Sequence, residues 1–147
     1  MKFMRRSFLI LGLVAGAALA QDNPNAKAFD SAKQLAGKGD PKAALRILEE
    51  NFGIAANPGK APKAVLELAS VLFEKARSFK SAITFTSLLV QKDFGDTHAA
   101  VLKSYKASGT ASLPEIPNPL GRHYFHLARL YAKAAMMDAL GLKVHLC

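Results

Sequence analysis

The chain has 147 residues, of which 20 are basic, 11 are acidic and one is a cysteine. This length suits one domain with a hydrophobic core, and a single cysteine excludes an intrachain disulfide or a cysteine metal cluster. The formal charge of +9 at pH 7 is compatible with an anionic partner or with a soluble basic surface, and the scattered lysines favour the basic surface. Nucleic acid is not the expected partner, because the lysines are scattered and no basic run is interleaved with aromatic residues.

The first twenty residues have the layout of a secretory signal peptide. An uncharged apolar stretch at residues 8–17 follows a short basic region, whose residues are Lys2, Arg5 and Arg6. The small side chains of Ala18 and Ala20 then form a typical cleavage site. We therefore expect cleavage after Ala20, a mature chain that begins at Gln21, and function in the periplasm or outside the cell.

Two further features of this segment concern export and release. Residues 5–9 read Arg-Arg-Ser-Phe-Leu and resemble the core of the twin-arginine export signal, while general secretion also uses a basic start. Both routes stay open. The uncharged run is shorter than the roughly 20 residues that cross a bilayer, and position 21 lacks the cysteine of a lipoprotein. We expect a cleaved protein without a stable membrane anchor.

The rest of the chain predicts an all-α fold of about six helices. Proline directly follows a capping residue at Pro24, Pro41 and Pro119, which is typical of a helix start. Apolar residues at three- and four-residue spacing predict helices over residues 24–37, 41–52, 62–77, 79–92, 97–108 and 119–137. Residues 109–118 form a linker that contains two prolines.

Two predicted helices share one spacing of small and large residues, and a third follows it more loosely. The matching residues are Ala32, Leu35 and Lys38, then Ala69, Leu72 and Lys75, then Ala128, Tyr131 and Ala134. The first two sets are offset by 37 residues, and the following Ala44 and Ala82 by 38, as in helical-hairpin repeats. With the turn at residues 38–45, this pattern resembles the tetratricopeptide repeat family, although the chain has no tryptophan.

The resemblance implies antiparallel helical hairpins stacked as an α-solenoid. Its units would cover about 24–53, 62–93 and 119–147, with a short helix and a proline-containing linker at 96–118. It also implies a non-catalytic scaffold that binds a protein or peptide on a concave surface. The first helices of the units would face this surface, which makes Lys33, Ser70 and Arg129 the candidate partner-binding residues.

The third unit is expected to be incomplete. Its second helix would begin near Met137 and would run for only about ten residues, with Gly141 inside it. Repeat arrays normally end in a helix with a polar outer face. We therefore expect exposed apolar residues in the last hairpin, covered by a partner, by a second copy of the chain, or by nothing if the chain is a shortened relative of a longer array.

No motif predicts catalysis or a cofactor. His123 and His126 lie three residues apart on one helix face and are weak metal candidates, since a zinc site needs three or four ligands. Carboxylates such as Glu67 and Glu74 are expected on solvated helix faces near lysines. The first hypothesis is therefore an exported scaffold for protein–protein interaction in the bacterial envelope. The alternatives are an envelope hydrolase or metal-dependent enzyme, and a structural subunit that oligomerises through its C-terminal helix.

Overall fold

The computed structural model describes residues 24–111 and 113–145, with side chains up to Gly141. The expected signal peptide and its cleavage site at Ala18, Ala20 and Gln21 lie outside the described residues. Within those residues the fold is all-α, as the sequence predicts, with five α-helices, one short 3-10 helix at Pro58–Lys60 and no strand. The helices are α1 (Pro24–Gly37), α2 (Pro41–Phe52), α3 (Lys63–Lys75), α4 (Phe79–Ser108) and α5 (Asn118–His145).

The turn between α1 and α2 forms as its sequence predicts. The Gly39 N–H donates to the Ala36 carbonyl and the Asp40 N–H to the Leu35 carbonyl, which is the Schellman arrangement for ending a helix. Gly39 adopts φ +82°, a left-handed conformation that glycine reaches without steric cost. The Asp40 carboxylate then accepts the Ala43 N–H at 3.0 Å and caps α2.

The turn between α3 and α4 has the same two hydrogen bonds. The Ser78 N–H donates to the Phe73 carbonyl at 2.8 Å, and the Arg77 N–H donates to the Glu74 carbonyl at 3.0 Å. Arg77 therefore occupies the position of the glycine in the first turn, with φ +59°. A side chain in this left-handed conformation places its Cβ close to the following carbonyl oxygen, so the backbone is strained there.

These matching turns give a different residue correspondence from the one that the sequence pattern suggests. Gly39 and Arg77 are 38 residues apart, so the turns have the same length and the second contains no extra residue. The same offset pairs Ala32 with Ser70, whereas the sequence comparison paired Ala32 with Ala69. A pattern of small residues does not distinguish these two registers, but backbone hydrogen bonds do.

The hydrophobic core lies between α1, α2, α3 and the first half of α4. α1 packs against α2, α2 against α3, and α3 against α4. Several alanines at these contacts let the helices approach closely, while leucines and aromatic rings fill the space between them. The buried residues of this cluster include Ala32, Ala44, Leu48, Leu66, Ala69, Leu72, Phe85 and Leu89.

Helix α4 differs from the prediction only in having no loop between the two predicted helices. Helical segments over residues 79–92 and 97–108 are both present, and they are joined across a kink at Phe94, where φ is −137° and ψ is 23°. The Lys63 ammonium contacts the Asp93 carboxylate at 2.6 Å, and Lys92 donates to the Ala61 carbonyl at 3.0 Å. These contacts hold the segment just before the kink against the start of α3.

Helix α5 also differs from the prediction. A turn near Met137 followed by a short second helix was expected, but α5 continues from Asn118 to His145. The predicted third hairpin is therefore absent from the described residues. Gly141 does not end the helix, because an isolated glycine lowers helix stability by only about 1 kcal/mol. Leu120 and Leu130 are fully buried where α5 packs against α4.

Two opposite substitutions test the strain in these turns. We expect Gly39→Ala to lower the free energy of unfolding by about 1 kcal/mol, because alanine must adopt the left-handed conformation. We expect Arg77→Gly to raise it by about 0.5–1 kcal/mol, because that cost is removed. Urea unfolding followed by circular dichroism measures both. Changes of the same sign would contradict the assignment of the two turns to one geometry.

Candidate functional site

The three predicted partner-binding residues lie in different environments. Lys33 is exposed on α1, with its ammonium 5.7 Å from the centre of the Phe29 ring. Ser70 is buried, and its hydroxyl lies 2.6 Å from the hydroxyl of Thr86 between α3 and α4. This burial removes Ser70 from any surface that a partner could touch. Arg129 is half exposed on α5 and takes part in a charged cluster.

The charged cluster joins α3 to α5 around one carboxylate. Glu74 accepts a hydrogen bond from the Lys133 ammonium at 2.6 Å. Its two oxygens lie 3.2 and 3.3 Å from one guanidinium nitrogen of Arg129. The His126 ring completes the cluster, with Nε2 3.7 Å from Glu74. The Glu74 side chain is only 17% exposed, so these contacts are partly shielded from water.

Two opposing effects set the pKa of Glu74, namely burial and the neighbouring positive charges. Burial by itself raises that pKa, because it disfavours the charged carboxylate. The hydrogen bond from Lys133 and the positive charges of Arg129 and Lys133 outweigh burial, so the pKa lies below its ordinary value. Glu74 is therefore ionised at neutral pH and holds α5 against α3.

His126 is held in its neutral form within the cluster. An Arg129 guanidinium nitrogen lies 3.0 Å from Nδ1, and because a guanidinium only donates, Nδ1 accepts. The ring proton is then on Nε2, which faces Glu74. Burial lowers the pKa of His126 below 6.5, and the charges of Arg129, His123 and Lys133 lower it further, while Glu74 opposes them.

The histidine pair does not form a metal site with other described side chains. His126 is engaged with Arg129 and Glu74, while the His123 ring lies 6.0 Å from the ring of Phe94 at the kink of α4. Across the described residues, no group of three or more His, Cys, Asp and Glu side chains is arranged to hold a metal ion.

The side of α5 opposite its buried Leu120 and Leu130 carries several exposed apolar side chains. Phe125, Met136 and Leu140 are 73%, 66% and 55% exposed. Together with the exposed Ala132 they follow one another at spacings of seven, four and four residues, so they share one face of the helix. We call this the outer face of α5. Most of the exposed large apolar side chains among the described residues belong to α5.

Sequence reasoning missed the central residue of the cluster. Glu74 was expected on a solvated face, but the structure places it against α5, which begins more than forty residues later in the chain. The local sequence gives no sign of this contact. A weak signal exists on α5 alone, since His126, Arg129 and Lys133 recur at three- and four-residue spacing and put basic groups on one face.

Comparisons with known protein families, with characterised proteins and with solved structures give no match to this chain. Among the described helices, none has the length and apolar character that crossing a membrane requires. The candidate site therefore consists of two features of this structure. One is the charged cluster around Glu74, and the other is the apolar outer face of α5 beside it.

Removing the charge of Glu74 tests the role of the cluster. We expect Glu74→Gln to lower the free energy of unfolding by about 1–2 kcal/mol, because Lys133 and Arg129 lose the negative charge and one of the two acceptor oxygens that they share. The matched control is Glu67→Gln on the same helix, whose carboxylate is half exposed and lies 3.9 Å from Lys63. Urea unfolding of both variants should show a much smaller change for the control, and equal changes would contradict this role.

The pKa of His126 predicts a pH dependence of stability. A folded pKa below 6.5 means that the unfolded chain binds more protons, so stability is complete above pH 6.5 and decreases below it. We expect the free energy of unfolding to decrease as the pH falls below 6.5, and to decrease less in His126→Gln. The Glu74 carboxylate contributes only below its ordinary value of 4.5. An identical fall in the variant would contradict the assignment.

Proposed function

We propose that this chain is an exported helical scaffold that binds a protein partner in the bacterial envelope through the outer face of α5. The export part of the proposal rests on the signal-peptide layout of residues 1–20 and on the cleavage pattern at Ala18 and Ala20. The scaffold part is supported by the all-α fold and by the resemblance of the first two units to tetratricopeptide repeats. Catalysis forms no part of the proposal.

The exposed apolar outer face of α5 is the observation that carries the proposal. A helix at the surface of a protein normally presents polar residues to water and buries one apolar stripe. Helix α5 already buries Leu120 and Leu130 on its inner side, yet Phe125 and Met136 remain largely exposed on the outer side. An exposed apolar surface of this kind marks an interaction site.

The charges beside this face favour a different protein over a second copy. Arg122 is exposed and lies three residues from Phe125, so its charge borders the outer face, whereas the charge of Arg129 is paired with Glu74. Two copies that packed their outer faces together would bring their exposed Arg122 side chains close to one another. Like charges oppose such pairing, whereas a partner with acidic residues would be attracted.

Site-specific cross-linking in the producing cells tests this function. A photoreactive phenylalanine analogue is placed at Phe125 or at Met136, and the control carries it at Arg46, an exposed residue of α2. We expect one discrete adduct with a second protein from both α5 positions and none from Arg46. The mass of the recovered chain also shows whether residues 1–20 have been removed.

The cross-linking outcomes separate the competing functions. Adducts of equal yield at Arg46, or none at Phe125 and Met136, would contradict a docking role for α5. An adduct with twice the mass of the chain would replace this proposal by the structural-subunit hypothesis, in which the helix joins two copies.

A further inference from the structure

A groove lies between the turn that joins α3 to α4 and the C-terminal half of α5. It consists of two cavities of about 260 Å³ each, which share Arg77, Phe79 and Met137 in their walls. We call it the α5 groove. Its floor is apolar and is formed by Phe79, Met137 and Leu140. Its rim has three cations, Arg77, Lys80 and Lys133, and one carboxylate, Asp138, so the rim is basic on balance. Its floor is continuous with the outer face of α5 through Met136 and Leu140.

Arg77 differs from the other residues of the rim in its strained backbone conformation. It holds a left-handed backbone conformation with φ +59°, at the place where the equivalent turn has glycine. Glycine would relieve the strain at this position, so the arginine is disfavoured by the backbone. Backbone strain of this kind is characteristic of functional sites. The side chain of Arg77 lines both cavities of the groove, which is where its charge would be used.

The other two cations of the rim, Lys133 and Lys80, differ in how available they are to bind a ligand. Lys133 is bound to Glu74 at 2.6 Å and lies 5.8 Å from the centre of the Phe79 ring, so it forms part of the wall. Lys80 contacts Asp138 at 3.7 Å, but their side chains are 82% and 64% exposed. An ion pair this exposed is weak, and a carboxylate of a ligand can replace Asp138.

We infer that the α5 groove binds an acidic amphipathic helix of the partner protein, an assignment that rests on the proposed function. Apolar side chains from successive turns of that helix would fill the two cavities, as in other helix-in-groove complexes. Its carboxylates would contact Arg77 and Lys80 at the rim. The flexible thioethers of Met136 and Met137 suit such a floor, because methionine adapts to apolar surfaces of different shape.

Charge complementarity selects this occupant over the alternatives. A second copy of the chain would bring a basic protein to a basic rim, since the formal charge without residues 1–20 is still +6. An anionic membrane would satisfy the rim, but a flat surface leaves the two cavities unfilled. A helix with acidic and apolar faces satisfies both the rim and the floor.

The test uses the protein purified from cells that express all 147 residues. The probe is a fluorescein-labelled synthetic helix of about 20 residues, with leucines on one face and glutamates on the other. The matched probe has lysines in place of the glutamates. We expect fluorescence anisotropy to show binding of the glutamate helix that is at least about tenfold tighter than binding of the lysine helix, and that weakens with salt.

Arg77→Gly separates binding from folding, because it should stabilise the fold and weaken binding at the same time. We expect the affinity for the glutamate helix to fall about fivefold. The control Arg46→Ala removes one charge from α2 and should change the affinity less than about twofold. A second variant, Met137→Ser, should also weaken binding, because it removes part of the floor.

Three results would overturn the inference. These are equal binding of both probes, equal effects of Arg77→Gly and Arg46→Ala, and sensitivity to Arg77→Gly only with phosphatidylglycerol vesicles. If any of them is found together with a protein adduct at Phe125, the proposed function is supported, but the acidic helix is not the ligand of the groove. If the glutamate helix binds but no protein adduct forms in cells, the proposed function is contradicted, while the specificity of the α5 groove for acidic helices is supported.

Discussion

The carboxylate of Glu74 is the contact that ties α5 to α3, beside the packing of α5 against α4. The main hydrophobic cluster joins α1, α2, α3 and the first half of α4, and α5 lies outside it. Helix α5 packs against α4 through Leu120 and Leu130, but its contact with α3 is made by basic side chains that converge on Glu74. The surface that we assign to partner binding is therefore placed by packing on α4 and by a charged cluster that is partly shielded from water.

The strained turn at Arg77 links this cluster to the groove. Glu74 supplies both the carboxylate that binds α5 and the backbone carbonyl that accepts the Arg77 N–H. The end of α3 thus orients α5 on one side and the rim of the groove on the other. The first turn, with Gly39 in the same conformation, has the same backbone geometry without the arginine. The two matching turns therefore differ at this position, where the second turn has a strained, charged residue in place of glycine.

The helices with strong local signals were predicted well, and the elements without them were not. Helices α1 and α2 begin at prolines and end at glycines, and the structure confirms their bounds. The end of α5 was wrong because Gly141 resembles a break, although one glycine costs too little to stop a helix. Ser70 was wrong as a surface residue because its hydroxyl is satisfied by Thr86, a buried partner on the next helix. Periodicity showed which residues share a face, but not what covers that face.

The sequence by itself determined the all-α class, most helix bounds and the expectation of export, because these depend on neighbouring residues along the chain. It also predicted apolar residues left exposed near the C-terminal end. Only the tertiary structure decided that a single helix carries them, that Glu74 binds Lys133 across 59 positions, and that Arg77 meets Met137 in a groove. Contacts between distant residues depend on how helices pack, and the spacing of residues along one helix does not specify that packing.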